Sequence, residues 1–264
     1  MSVLRPIAFI SASTNHGTML INRFDYRLTE NGGYGVGFQL LNNSAFDSGE
    51  VSVVIGLLNS RRENFGNGVV AIDCGANIGV HTIEWAKAMF GWGRVIAFEA
   101  QERIYYALAG NVCMNNCFNA EANFAAVGAK EGFMLVPSPN YFIPSSFGSL
   151  EIQERESNEY IGQNIDYSPE KCKSVKVVSI DSLNLERLDF VKIDIEGMEI
   201  EALNGSRMVI DKFKPQFLVE RLKSSENEIG TFLREYGYRI FSFGINVIAI
   251  HNDDPALQRI NGGS

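Results

Sequence analysis

The 264-residue chain is short of several things, and each shortage removes a class of protein. No window approaches the ~20 consecutive apolar residues of a membrane span. The opening MSVLRPIAFISAS carries one Arg and an apolar stretch broken by Pro6, less than the ~7–15 apolar residues of a secretory signal. Cysteines number only four: Cys74, Cys113, Cys117 and Cys172. Cys113 and Cys117 lack the second pair that a zinc site needs, so reduced thiols in a cytoplasmic protein are expected. Runs rich in Lys and Arg are missing too. With 23 basic against 31 acidic residues the net charge is −8, which repels phosphate backbones and argues against nucleic acid as a partner. There is no internal repeat and no low-complexity segment, and Asn261–Ser264 reads as a disordered tail.

What remains is an ordinary balance, 45% hydrophobic and 20% charged, in a chain long enough to bury a core without metal or disulfides. From Val69 onward strand-like and helix-like segments alternate. Val69–Cys74 predicts a buried strand. Residues 78–90 predict a helix with Ile83, Ala86, Met89 and Phe90 on its inner face. Strand 94–100, helix 103–116 and a strand within 121–129 follow. Four prolines and the polar run EIQERESNEY then break the rhythm at about 130–174, read as an inserted hairpin and loop. Strands at 174–183, 188–195 and 215–222 and helices at 198–213 and 226–236 resume it. Two last strands, 238–244 and 246–252, meet at Gly244-Ile245 so tightly that they must be antiparallel. The alternation implies a mainly parallel sheet covered by helices on both faces. Residues 1–68 read as a cap or flank on that sheet, with a strand near 17–25 and a helix at 50–64.

The stretch VVAIDCGANIGVHTIEWA, residues 69–86, holds the first strand, a glycine turn and the next helix. In such sheets ligands bind at the carboxyl ends of the strands. Gly75 and Gly79 let a ligand approach the backbone. The dinucleotide fingerprint G-x-G-x-x-G is not met, because Asn77 and Val80 stand where its second and third glycines belong. Asp73 at the strand end is a poor neighbour for pyrophosphate and a good one for a cationic group. S-adenosylmethionine has such an end. Glu99 closes the next strand, where a carboxylate can accept both ribose hydroxyls. The plain alternative for each acid is a cap on the following helix.

IDCGANIGVHT, VIAFEA, NFAAVG and VKIDIEGMEIEALNGS…PQFLVE together resemble the FkbM family of S-adenosylmethionine-dependent methyltransferases, over about residues 45–221. The resemblance implies the class I methyltransferase (Rossmann-like) fold: an α/β, seven-stranded, mainly parallel sheet with helices on both faces and an antiparallel last strand. It implies methyl transfer, commonly to a hydroxyl of a sugar or natural product. It implies that Asp73, Gly75, Asn77 and Glu99 contact the cofactor, with Ala125 and Ala126 near the adenine and Gly79 in the same turn. Glu50 resembles a family position near the cofactor. Residues 69–260 are then the catalytic domain, with 1–68 as its flank.

VKIDIEGME is the most informative polar cluster. Strand alternation sets Val191, Ile193 and Ile195 on one face and Lys192, Asp194 and Glu196 on the other. A buried Lys192 requires a carboxylate partner. Transfer to oxygen requires alignment of the reacting atoms and removal of a proton. Asp194 and Glu196 are the candidate bases, Glu220 at the next strand end is a third, and His81 is a rival. The alternatives are an ion pair for Asp194 and a helix cap for Glu196. His16 and His251 have no identifiable partner. No metal is expected: the strand LDFVKID resembles that of metal-dependent catechol-type enzymes, but Arg221 follows Glu220 where those enzymes place a second ligand. The acceptor, a small molecule or glycan, is expected between residues 139–151, read as a lid, and residues 25–40. A nicotinamide-dependent oxidoreductase and a non-catalytic binding module are the competing readings.

Overall fold

A computed structural model describes residues 6–30, 32–224 and 226–257. The tail 261–264 and the outer ends of the two expected segments, 1–5 and 258–260, lie outside the described residues. Two hairpins open the chain: β1 (Phe9–Thr14) with β2 (Gly17–Asn22), and β3 (Arg27–Thr29) with β4 (Gly32–Tyr34). Helices α1 (Val36–Asn43) and α2 (Ser48–Phe65) follow.

β5 (Val69–Cys74) begins the alternation and is buried along its whole length, because helices cover both faces of its sheet. After it come α3 (Val80–Ala88), β6 (Gly93–Glu99), α4 (Glu102–Met114) and β7 (Ala120–Phe124). A three-stranded side sheet interrupts, with β10 (Cys172–Val178) between β8 (Ala126–Val127) and β9 (Gly132–Pro137). The main path resumes with β11 (Phe190–Ile193), α5 (Glu199–Asn204), α6 (Arg207–Phe213), β12 (Gln216–Glu220) and α7 (Glu226–Glu235). It ends with β13 (Tyr238–Phe243) and β14 (Asn246–His251).

The main sheet has seven strands in the order β13-β14-β12-β11-β5-β6-β7. β12, β11, β5, β6 and β7 are parallel, and the last strand, β14, runs antiparallel between β12 and β13. Chain order reverses between β5 and β11, so their carboxyl ends open a crevice. Alternation divides the core. Val70, Ile72, Val191, Ile193, Phe217 and Val219 face α5–α7. Val69, Ala71, Phe190 and Leu218 face α2 and α3, in a core shared with Met19 and Ile21 of β2. No helix among the described residues is long and apolar enough to cross a membrane.

Three expected elements differ. The helix of 78–90 shrinks to α3, because Asn77 and Gly79 adopt positive φ before it and Gly91 does so after it. Phe90 is then 70% exposed rather than inward. The strand within 121–129 splits: Phe124 ends β7, and Ala126–Val127 turn aside to pair with β10. The helix of 198–213 breaks at Gly205-Ser206, where a Cβ on Gly205 would stand 2.2 Å from the Gly128 carbonyl oxygen.

Candidate active site

The crevice floor is built by period-two alternation across neighbouring strands. Asp73 on β5 pairs in register with Lys192 on β11, and both point toward α2 and α3. Lys192 is 4% exposed, and its Nζ donates to Asp194 Oδ2 at 2.6 Å. Burial pulls this lysine down, but Asp194, Asp73 and Glu50 outweigh burial and hold it protonated. The turn after β5 crosses this floor. Gly75 has φ +78, and a Cβ there would sit 1.8 Å from the Asp194 carbonyl oxygen, so only glycine fits.

One end of the cavity gathers around Glu99. Its Oε2 accepts the Asn77 N–H at 3.0 Å and its Oε1 the Gln101 N–H at 2.8 Å. Burial lifts its pKa to about 7 against the lowering effect of those N–H groups. The Ala100 N–H acts in the same direction, and a carboxylate's roughly four lone-pair sites leave acceptor capacity beyond these donors. Ala125, Ala126, Leu150 and Ile152 add an apolar wall. Gln101 also reaches the predicted lid, donating through Nε2 to the Phe147 carbonyl at 2.8 Å. Asp25 secures that loop from the other side: its Oδ1 accepts the Phe147 N–H and its Oδ2 the Gly37 N–H, both at 3.0 Å. Burial raises Asp25 to about 6.

The other end is acidic. β11 stops at Ile193, one residue short of Asp194. Glu196 (φ 53) and Gly197 (φ 98) then reverse the chain. Glu199 fixes the reversal by accepting the Ile195 and Gly197 N–H groups, each at 3.1 Å. Glu220, closing β12, comes alongside. One carboxylate oxygen from each of Asp194, Glu196 and Glu220 lies within 4.8 Å of the others. Burial and then the Asp194 charge push Glu220 up to about 8. Burial, then Glu220 and Asp194, hold Glu196 well above the usual carboxylate range. On the flank, His81 Nε2 stands 3.1 Å from Glu50 Oε1, and Glu50 also accepts from Asn246 at 2.6 Å.

A single cavity of about 330 Å³ connects the two ends. Gly75, Asn77, His81, Glu99, Ala126, Asp194 and Glu196 line it, as does Glu220. Tyr34, Gly35 and Gln39 from the 25–40 segment and Ser146, Gly148 and Ser149 from the 139–151 segment wall it. Two expected site residues stand outside. Asp73 lies beneath the turn, where Oδ2 accepts from Thr82 at 2.6 Å and Oδ1 has no hydrogen-bond partner. Gly79 packs against α4, where a Cβ would meet Leu108 Cδ1 at 2.6 Å. His16 and His251, without partners on sequence grounds, stand 3.6 Å from Glu84 and from Asp253 respectively. Asp25 and Gln101 escaped the sequence reading. Gln101 carried one signal, a polar residue two positions after the strand-end Glu99. Asp25 carried none, because its partner Phe147 is 122 positions away.

This sheet, with its reversed last strand and its crevice beside β5, is the class I methyltransferase fold. The Methyltransferase FkbM domain matches residues 73–240, and the chain belongs to that family. Methyltransferase sdnD of Sordaria araneosa is 22% identical over 157 residues, covering 51% of this chain and 59% of that protein. Methyltransferase 1 of Beauveria bassiana is 24% identical over 147 residues, covering 51% and 57%. The chain thus spans less than three-fifths of the length of these curated relatives. The crystal structure of methyltransferase FkbM from Methylobacillus flagellatus KT superposes with a TM-score of 0.48 at 17% identity, covering 73% of this chain and 47% of that one.

Membership of the Methyltransferase FkbM domain family gives S-adenosylmethionine as the cofactor. The donor set agrees with that molecule. Glu99 retains acceptor capacity beside an apolar wall. Among the described residues lining the cavity, Lys192 is the one Lys or Arg, and it is bound to Asp194, so nothing there invites a pyrophosphate.

Proposed function

We propose that the chain transfers a methyl group to a hydroxyl oxygen of a small polar acceptor, a sugar, glycan or other natural product. The observation that supports this most is the cavity's polarity: a carboxylate held by backbone N–H groups at one end and three crowded carboxylates at the other. In this reading Glu99 accepts the ribose hydroxyls, and Gly75 and Asn77 present the turn. Ala126 and its neighbours take the adenine, and Asp73 and Gly79 shape the turn from behind. When bound, S-adenosylmethionine supplies a methyl group activated by a positive sulfur.

The chain's own part is to align the acceptor and receive its proton. Lys192 donates to Asp194 Oδ2 and fixes that oxygen. Asp194 and Glu196 are the proposed proton acceptors, and His81 with Glu50 is the rival pair. The lid, fastened by Asp25 and Gln101, encloses the acceptor among aromatic and hydroxyl groups. Four free thiols agree with a reducing, cytoplasmic setting. Nucleic acid is not proposed as a partner, on the charge of −8.

Mass spectrometry of the chain with S-adenosylmethionine and a panel of sugars, lipid-linked glycans and macrolides tests the reading. A gain of one methylene mass on an oxygen is expected. Methylation confined to nitrogen or carbon acceptors overturns it. Tight S-adenosylhomocysteine binding with no methylation across the panel favours the binding-module alternative.

A further inference from the structure

Glu220 is 6% exposed, yet its Oε2 is buried without a hydrogen-bond partner, and among the described residues no hydrogen bond reaches its carboxylate. Glu196 Oε2 likewise has no hydrogen-bond partner, and Lys223 Nζ stands 3.7 Å from it. Folded proteins rarely leave such groups unless something not yet in place completes them. A buried carboxylate needs a cation or a donor. The nearby lysines are already committed. Lys192 holds Asp194 at 2.6 Å. Lys223 holds Glu159 at 2.5 Å and Glu151 at 3.4 Å, and comes no nearer than 3.7 Å to Glu196. Neither forms an ion pair with Glu220.

Geometry indicates what would complete the cluster. Three carboxylate oxygens lie within 4.8 Å of one another, on a turn locked from outside by Glu199 and on the adjoining strand tip. Ligand oxygens around a small divalent ion at about 2.1 Å stand about 3–4 Å apart, so small side-chain rotations close the set. The donors are oxygen only, without thiolate or imidazole, which selects a hard cation. The cavity supplies room for water or an acceptor oxygen in the remaining positions. The sequence argument against a metal rested on Arg221. Arg221 follows the end of β12, its Nη2 donates to the Gly244 carbonyl at 2.8 Å, and it is not among the residues lining the cavity.

We propose that Asp194, Glu196 and Glu220 bind one hard divalent cation, Mg²⁺ or Mn²⁺, at the acceptor end of the cavity. The site does not depend on the methyl-transfer reading, because binding needs neither cofactor nor acceptor. A hydroxyl placed on such an ion loses its proton more readily. In the loaded state Asp194 and Glu196 serve as ligands, and His81 remains the base candidate outside the ligand set.

The test is Mn²⁺ titration of the chelator-stripped full chain, with free Mn²⁺ counted by electron paramagnetic resonance. One ion per chain is expected, displaced by Mg²⁺ and accompanied by a rise in Tm. Glu220→Gln and Glu196→Gln should each weaken binding at least about tenfold. The exposed Glu131→Gln should change nothing. Glu196→Gln carries the result if Glu220→Gln fails to fold. Absence of stoichiometric Mn²⁺ binding, or affinity unchanged in both variants, overturns the site. S-adenosylhomocysteine titration of the same samples separates the two readings: binding of it without Mn²⁺ removes the cation site alone, and Mn²⁺ without it removes the methyl-transfer reading alone.

Discussion

Glu99 and Glu220 close parallel strands of the same sheet, open into the same cavity, and are each 6% exposed. Their surroundings are opposite. Backbone N–H groups grip Glu99, whereas among the described residues Glu220 receives no hydrogen bond. The fold finishes one carboxylate with its own main chain and leaves the other to be finished by what binds. Burial therefore does not distinguish structure from function here; the supply of donors does. The Glu99 end is preorganised by the turn Gly75–Gly79 and needs little rearrangement on binding. The acidic end crowds its carboxyl groups on a turn fixed by Glu199, which drives Glu196 and Glu220 toward their protonated forms in the absence of a ligand.

The largest break in this comparison is expected from Asp194→Asn. It removes a proposed proton acceptor and leaves the Glu99 end intact. Turnover should fall about 10²- to 10⁴-fold while S-adenosylhomocysteine affinity changes little. Isothermal titration beside a methylation assay reads both. Equal losses in the two would make Asp194 structural, as its pairing with Lys192 would then suffice to explain it.

Gly75→Ala should damage both ends at once. Its Cβ would collide with the Asp194 backbone, and φ +78 is strained for alanine. Destabilisation on the order of 2–4 kcal/mol is expected. Denaturant unfolding measures it, and a loss below about 0.5 kcal/mol would show that the turn adapts.

Glu99→Gln sharpens the contrast through a change of sign with pH. The native carboxyl sits at about 7, raised from 4.5. Its protonated form is favoured by folding, so its contribution is intact below about pH 4.5 and is lost as pH rises through about 7. A neutral amide escapes that loss, worth on the order of 3 kcal/mol at pH 8. The amide can accept only one of the two N–H groups, which costs about 1 kcal/mol at any pH. The variant should be the more stable protein above pH 7 and the less stable one below pH 4.5, while losing cofactor affinity. Urea unfolding at the two pH values checks this; equal ΔΔG at both would mean that Glu99 does not titrate in that window.

The Glu99 end was more legible in the sequence than the acidic end, for a physical reason. Strand, glycine turn and helix follow one another within 69–86, and periodicity reads contiguous chain well. Lys192 was legible because an isolated lysine in an apolar strand demands a partner, and Asp194 supplies it. The cluster of Asp194, Glu196 and Glu220 joins two strands separated by a helical connection, and only Asp194 and Glu196 share a local motif. Asp25 and Gln101 hold the 139–151 segment through contacts 122 and 46 positions apart in the chain. Gly205 broke a helix because a distant backbone, at Gly128, occupies the space a side chain would need.

The smallest expected effect tests the Glu99 end without mutation. With its pKa at about 7, Glu99 is near half protonated at pH 7. Ribose hydroxyls donating to its free lone pairs favour the ionised form and lower that value. Cofactor binding should then release up to about half a proton per chain at pH 7. Release should fade at pH 9, where Glu99 is already ionised, and again well below its bound-state value, where it stays protonated. Titration of S-adenosylhomocysteine in buffers of different ionisation enthalpy measures this directly. Proton uptake, or a release that persists undiminished at pH 9, would show that the hydroxyls do not meet Glu99, and the contrast between a finished and an unfinished carboxylate would lose its first member.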